Sequence, residues 1–199
     1  MARYSPTVRN LIELFGELPG IGSKTAERLA FHLLNCEEEY ALALADGIRA
    51  VKEKIIHCSI CNNLCESSPC EICSDSRRSD KVLCVVETPK DLASIENSVS
   101  FEGKYHVLGG SISPLNDIGP EDLAIDSLVE RVEKDGVKEV IFATNPTTEG
   151  DATCYYIAKK LKGLPVKVSR LARGLPVGSE LEFAPKTNID EALRGRQEF

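Results

Sequence analysis

Four cysteines carry the clearest chemistry in this chain: Cys58 and Cys61 form one C-x2-C pair, Cys70 and Cys73 a second, with eight residues between the pairs. Two such pairs turn four thiolates toward one point, the tetrahedral sulfur set that holds a structural zinc ion, one per chain. Four sulfurs leave no position for water, so the expected site builds structure rather than activating a nucleophile. A disulfide pair or redox dithiol is the competing reading of the same spacing. His57 precedes the first pair and Cys65 lies inside the loop, so either is placed to replace a ligand; a helix-end histidine and a spare thiol are the simpler account. Cys36, Cys84 and Cys154 stand alone among apolar neighbours and read as core filler.

A second constellation is acidic. Glu87 follows the apolar run Lys81–Val86, and the segment Ala143-Thr-Asn-Pro-Thr-Thr-Glu-Gly-Asp151 follows another run at Val140–Ala143. In a parallel sheet both places are strand C-terminal ends, where α/β proteins put their sites. The pair resembles the Toprim domain, which holds magnesium with a strand-end Glu and a D-x-D-x-E stretch. Glu87 and Glu149 match that pattern, but Asn145 and Thr147 stand in place of the two aspartates, removing two hard anionic ligands. A non-enzymatic protein is therefore expected, with a Toprim-type magnesium-dependent nuclease or topoisomerase-like enzyme as the alternative. Glu87, Glu149 and Asp151 then become a candidate partner-binding face, or carboxylates that only complement a helix N-terminus. The glycine-rich Arg173–Ser179 lacks the G-K-[ST] ending of a phosphate loop and reads as a turn. His106, inside a strand, is expected to be a satisfied structural histidine.

The segment Leu18-Pro-Gly-Ile-Gly-Ser-Lys-Thr-Ala-Glu-Arg28 lies between two helical patterns and resembles a helix-hairpin-helix module. Gly20 and Gly22 permit positive φ and close approach of phosphate, Ser23 is placed to cap the next helix, and Lys24 and Arg28 share one helical face. A sequence-independent contact with the DNA backbone follows, or a hairpin that merely packs helices. One hairpin has few cations, so useful affinity needs several copies.

Positioning these groups takes two kinds of architecture. Ser5-Pro6 starts a helix through Val8, Leu11, Ile12 and Phe15; a second contains Ala26 to Leu34, and a third spans 38–56. From residue 81 strands and helices alternate: strands at 81–86, 105–108, 140–143 and 166–168, helices after Thr88-Pro89, over 120–135 and over 149–162, with 109–120 as one surface loop. That alternation implies a parallel sheet. The expected fold is multidomain α+β: a helix-hairpin-helix region (1–57), a four-cysteine zinc finger (58–80), a Toprim-like α/β domain with a parallel sheet (81–172) and a C-terminal strand/helix segment (173–199). The net charge of −7 argues against a uniformly basic coat, and the acidity is concentrated in 81–158, with 14 acidic and 6 basic side chains. The eight cysteines, with no export signal and no run apolar enough to span a membrane, point to a reducing cytoplasm.

The order of hairpin, cysteine pairs, Toprim-like domain and the ending Leu171-Ala-Arg-Gly-Leu-Pro-Val-Gly178 resembles the RecR family of bacterial recombination mediators over essentially the whole chain. Tyr105-His-Val-Leu-Gly-Gly-Ser-Ile-Ser-Pro114 and Thr144-Asn-Pro-Thr-Thr-Glu-Gly150 are particularly similar to it, whereas Pro185 and Asn188 depart from its usual residues. The resemblance implies a ring-shaped homotetramer that surrounds single- or double-stranded DNA in repair and acts with RecO, and in other contexts RecF, to help load RecA. It also implies that Lys24 and Arg28 contact DNA and that the face around Glu87, Glu149 and Asp151 meets RecO; the position of Cys58, Cys61, Cys70 and Cys73 between these two parts then gives the zinc finger the expected role of setting the orientation of one against the other.

Overall fold

Ser5 and Pro6 start the first helix as their order predicts: Ser5 Oγ accepts from the Val8 N–H at 3.4 Å, and α1 runs Pro6–Gly16. The computed structural model describes residues 4–98 and 101–198. A hairpin leads into α2 (Ser23–Asn35), whose Ala26 and Ala30 are fully buried one turn apart and small enough to let α1 approach. Ser23 does not cap this helix. Gly22 occupies the cap position, and Ser23 is the first helical residue. In α3 (Glu38–Lys54), Glu38 and Glu39 in the first turn and Lys52 and Lys54 in the last complement the helix dipole. These three helices form one compact unit, residues 1–55; residues 56–199 form another.

The second unit begins with a two-stranded antiparallel ribbon, β1 (Ile56–His57) with β2 (Leu64–Cys65), and one helical turn, α4 (Glu71–Ser74). Then follow β3 (Ser79–Val86), α5 (Pro89–Ser98), β4 (Gly103–Val107), α6 (Ile125–Asp135), β5 (Glu139–Phe142), α7 (Thr148–Leu161), β6 (Lys167–Arg170) and α8 (Lys186–Arg194). The sheet is wholly parallel in the order β4-β3-β5-β6. Strand β3 is central and apolar on both faces because both are covered. Leu83 and Val85 pack with Leu128, Val132, Ile157 and Leu161 of α6 and α7, while Cys84 and Val86 pack with Leu92 of α5, Tyr105 and Val107.

Four further expectations change. The helix foreseen over 120–135 is a 3-10 turn, Pro120–Asp122, and then α6: between them the Ala124 N–H bonds the Leu108 carbonyl and Leu123 is buried, so tertiary pairing interrupts the helix. Gly136, at φ +61, ends α6 as its position implies. The stretch 109–120 is not a plain surface loop, since Ile112 and Ile118 pack on the core and Ser113 bridges Ile118. His106 is buried and only half satisfied: Nε2 donates to the Ala124 carbonyl at 2.7 Å, and Nδ1 has no partner among the described residues. Burial pushes its pKa down to about 4, with the Arg131 charge adding to the effect. Past Arg170 the described residues hold a 3-10 turn, Leu181–Phe183, and α8, but no strand. Among the described residues no helix is long and apolar enough to cross a membrane.

Candidate functional site

Local turns bring the four cysteines together. In the first pair the Asn62 N–H bonds the Cys58 carbonyl at 2.9 Å and the Cys58 N–H bonds the Asn63 carbonyl at 2.7 Å, closing a turn in which Asn62 has φ +61. In the second, Cys70 precedes α4 and the helical turn brings Cys73 to the same side. All four sulfurs lie within 4.8 Å of one another and all four residues are buried. The Cys70 N–H donates to Cys58 Sγ at 3.3 Å. Burial raises the Cys58 thiol, but the N–H groups of Cys70, Cys61 and Ile60 outweigh it and bring the pKa down to about 6, favouring the thiolate that a metal requires. The adjacent Cys73 thiol, and then burial, push Cys61 up, so that its thiolate depends on a cation. Four soft donors with no open position fit zinc in a structural role. His57 stays outside the set, exposed, with Nδ1 donating to the Asn62 carbonyl at 3.1 Å. Cys65 packs against the four thiols without joining them.

The strand ends bring Glu87 and the 143–151 segment together. Glu87 is only 7% exposed: Oε1 accepts from the Asn145 N–H at 2.9 Å and Oε2 from Asn145 Nδ2 at 2.7 Å. Asn145 thus supplies donors where the Toprim pattern has a carboxylate, and both oxygens of Glu87 are engaged by an amide instead of facing a second anion. Thr147 caps α7 by accepting from the Gly150 N–H at 3.0 Å. Glu149 lies in the first turn of α7, partly buried, and Asp151 follows it, exposed. Asp151 is clamped by both terminal nitrogens of Arg173, Nη1 donating to Oδ2 at 2.9 Å, and this hydrogen-bonded charge holds its carboxyl below the usual range. Spacing alone assigns Arg173 to a turn and misses this role. The available signal was its place just past the last strand, at the same sheet edge as the α7 N-terminus. A cleft of about 620 Å³ opens there, lined by Thr147, Thr148, Asp151, Arg173, Asn188 and Glu191 among others.

Gly150 is where this site tolerates no side chain. A Cβ there would stand 2.2 Å from the Asn145 carbonyl oxygen and 3.0 Å from Glu87 Oε1. Gly150→Ala is expected to displace the Asn145 loop and cost about 1–3 kcal/mol, the range for overpacking. Chemical denaturation checks this; an unchanged midpoint would mean that the loop yields freely.

Among the described residues of the helical unit only Gly20 uses the left-handed region, at φ +80, while Gly22 is extended at φ −81. Gly22 has no side chain with which to cap α2, and among the described residues no other side chain does so. Lys24 and Arg28 line one cleft of about 610 Å³ with Tyr4, Thr25, Glu27 and Phe31. Two cations beside an uncapped helix N-terminus form a surface suited to phosphate.

Three family models match the chain: a RecR helix-hairpin-helix over residues 8–52, a RecR four-cysteine zinc finger domain over 55–75 and a Toprim domain over 81–172. The Recombination protein RecR of Bifidobacterium longum subsp. infantis is 52% identical, covering 98% of this chain and 98% of its own. Those of Pelotomaculum thermopropionicum and Rubrobacter xylanophilus are 50% and 49% identical over the full length of both chains. The four clustered cysteines fall inside the zinc-finger match, and together the two observations establish a structural zinc site.

Proposed function

Because the chain belongs to the RecR family of recombination proteins, we propose that it is a non-enzymatic DNA-binding mediator of recombinational repair. It works as a ring-forming homotetrameric clamp that acts with RecO, and in other contexts RecF, to help load RecA at single-stranded gaps in the cytoplasm. The observation that carries the DNA reading is the pairing of Lys24 and Arg28 in one cleft beside the uncapped start of α2, reached through Gly20 and Gly22. Such a surface reads phosphate and not base edges, so it engages single- or double-stranded DNA without sequence preference, and four copies in a ring multiply a weak contact.

The partner face is at the strand ends. Glu149 and Asp151 are its accessible carboxylates, and buried Glu87 accepts from Asn145 in the loop that precedes them. The hydrogen-bonded engagement of Glu87 supports adaptor work over magnesium chemistry, because its oxygens already have donors.

Lys24→Ala combined with Arg28→Ala tests the DNA assignment. DNA affinity is expected to fall, and the slope of log affinity against log salt to drop by about 1 for each phosphate no longer neutralised. A double variant with native circular dichroism and unaltered affinity and slope would sink the assignment.

A further inference from the structure

The zinc finger lies on the sheet in a way that gives the metal a second task. Strand β4 is an edge of the sheet, and an edge strand presents N–H and C=O groups that need partners. Both backbone groups of Val107 point away from β3, and both are taken by the first cysteine pair: the Val107 N–H donates to the Cys61 carbonyl at 2.8 Å, and Asn62 Nδ2 donates to the Val107 carbonyl at 2.9 Å. Nearer the start of the same strand, Lys104 Nζ donates to the Cys73 carbonyl at 2.9 Å and pairs with Asp80 at 2.6 Å. The second cysteine of each pair therefore offers its carbonyl to β4. Ile72, between the ligands Cys70 and Cys73, packs against both the thiol cluster and the sheet cluster that contains Val86, Tyr105 and Val107.

The clasp continues to the acidic site within two residues. Past Val107, the Leu108 N–H donates to the Val86 carbonyl and the Gly109 N–H to the Glu87 carbonyl, each at 2.9 Å. Beside them, the Asn62 amide lies 3.9 Å from where a Gly109 Cβ would stand. The cysteine loop itself has a two-residue ribbon and a single helical turn, too little to hold Cys61 and Cys73 in place unless a metal draws them together.

We infer that Asn62 and Lys104 are positioning residues through which the four-cysteine centre holds β4 and, through β4, the backbone that carries Glu87, so that metal binding and order at the acidic strand ends share one equilibrium. The inference relies on the proposed function only for the use made of that face; the coupling is a property of the free protein. Linkage makes it reciprocal: loosening the clasp loosens the metal.

The test is hydrogen exchange on the zinc-loaded full chain, with Asn62→Gly as the main variant. Glycine accepts the left-handed backbone at 62 and keeps all four thiols, so only the side-chain amide is removed. With zinc content confirmed equal to wild type, the Val107, Leu108 and Gly109 amides are expected to exchange about ten-fold faster, while those of Val140–Phe142 are unchanged. Zinc affinity, measured at equilibrium against a competing chelator, is expected to fall about ten-fold, within the usual range of coupling between sites. Lys104→Met is expected to act likewise on the backbone amides at positions 104 and 105. Unchanged protection at 107–109 together with an unchanged zinc affinity in Asn62→Gly would overturn the inference. So would a chelator-treated wild type that loses protection only within 56–75. Should chelation unfold the whole second unit, the loaded Asn62→Gly comparison decides alone. DNA affinity enters none of these readouts, so the DNA assignment and the coupling stand or fall separately.

Discussion

Cys61→Ser is expected to leave the purified protein without stoichiometric zinc and to lower its thermal midpoint by about 8–16 °C. Cys61 is fully buried among the other three cysteines, and its thiol is pushed up by Cys73 and by burial, so only a bound cation keeps it ionised. A serine hydroxyl is a hard, protonated donor that zinc ligated by thiolates does not accept in exchange. Structural zinc contributes about 10–16 kcal/mol of apparent binding free energy in small zinc-finger peptides. Loss of even about 4 kcal/mol, at 2–4 °C per kcal/mol for a chain of this size, gives the stated shift. Elemental analysis and calorimetry on the same preparation check it. Full zinc content with an unshifted midpoint would show that three thiolates suffice and that the centre is not closed. Acidification acts in the same direction, because protons compete with the metal for thiolate.

The second large effect is expected at Arg78, which joins the end of the zinc finger to the sheet. Its guanidinium pairs with Glu96 at 2.6 Å and donates to the carbonyls of Phe101 and Gly103 at 3.0 and 3.3 Å; Tyr105 Oη donates to the same Glu96 at 2.6 Å. Arg78→Met leaves a part-buried carboxylate with Tyr105 as its remaining donor and takes the guanidinium from two carbonyls, and is expected to cost about 3 kcal/mol, the low end for breaking a buried pair because about a quarter of Glu96 remains exposed. The loss depends on pH. Burial raises the Glu96 carboxyl, but the hydrogen bonds from Arg78 and Tyr105 outweigh it and hold the folded-state value below the ordinary 4.5. A depressed folded value means that the pair's contribution is complete above 4.5 and is lost as pH falls through the folded value. In Arg78→Met burial acts with one fewer opposing donor, and Glu96 takes up its proton at higher pH. The gap between wild type and variant, measured by urea denaturation, is therefore expected to be widest at neutral pH and to narrow on acidification. A gap independent of pH would assign the cost to packing alone.

Legibility differed between the sites for physical reasons. The cysteine pairs were readable because C-x2-C is a local turn and a tetrahedral metal needs four donors. The hairpin was readable because Gly20 and the Lys24–Arg28 spacing act within two turns of chain. The exchange of aspartates for Asn145 and Thr147 was visible as composition. That Asn145 would lay its amide across both oxygens of Glu87 was not, because those residues are 58 apart and only the β3–β5 pairing makes them neighbours. Arg173 and Asp151, 22 apart, escaped in the same way. Gly22 was read with Gly20 as a positive-φ position, yet its backbone is extended: a glycine has the freedom to adopt φ above zero without being required to use it.

By itself the amino-acid sequence determined the modules and their order: a helical hairpin with two cations on one helical face, a zinc-binding pair of knuckles, and alternating strands and helices with a Toprim pattern short of two carboxylates. These depend on spacing, caps and alternation, which act over a few residues. The tertiary structure alone decided that the knuckles clasp the edge of β4, that Glu87 is buried beneath an asparagine, and that Asp151 is paired with Arg173. Each of these is a contact between residues brought together by sheet register and crossover connections, and no local propensity encodes which distant partner a buried polar group will find.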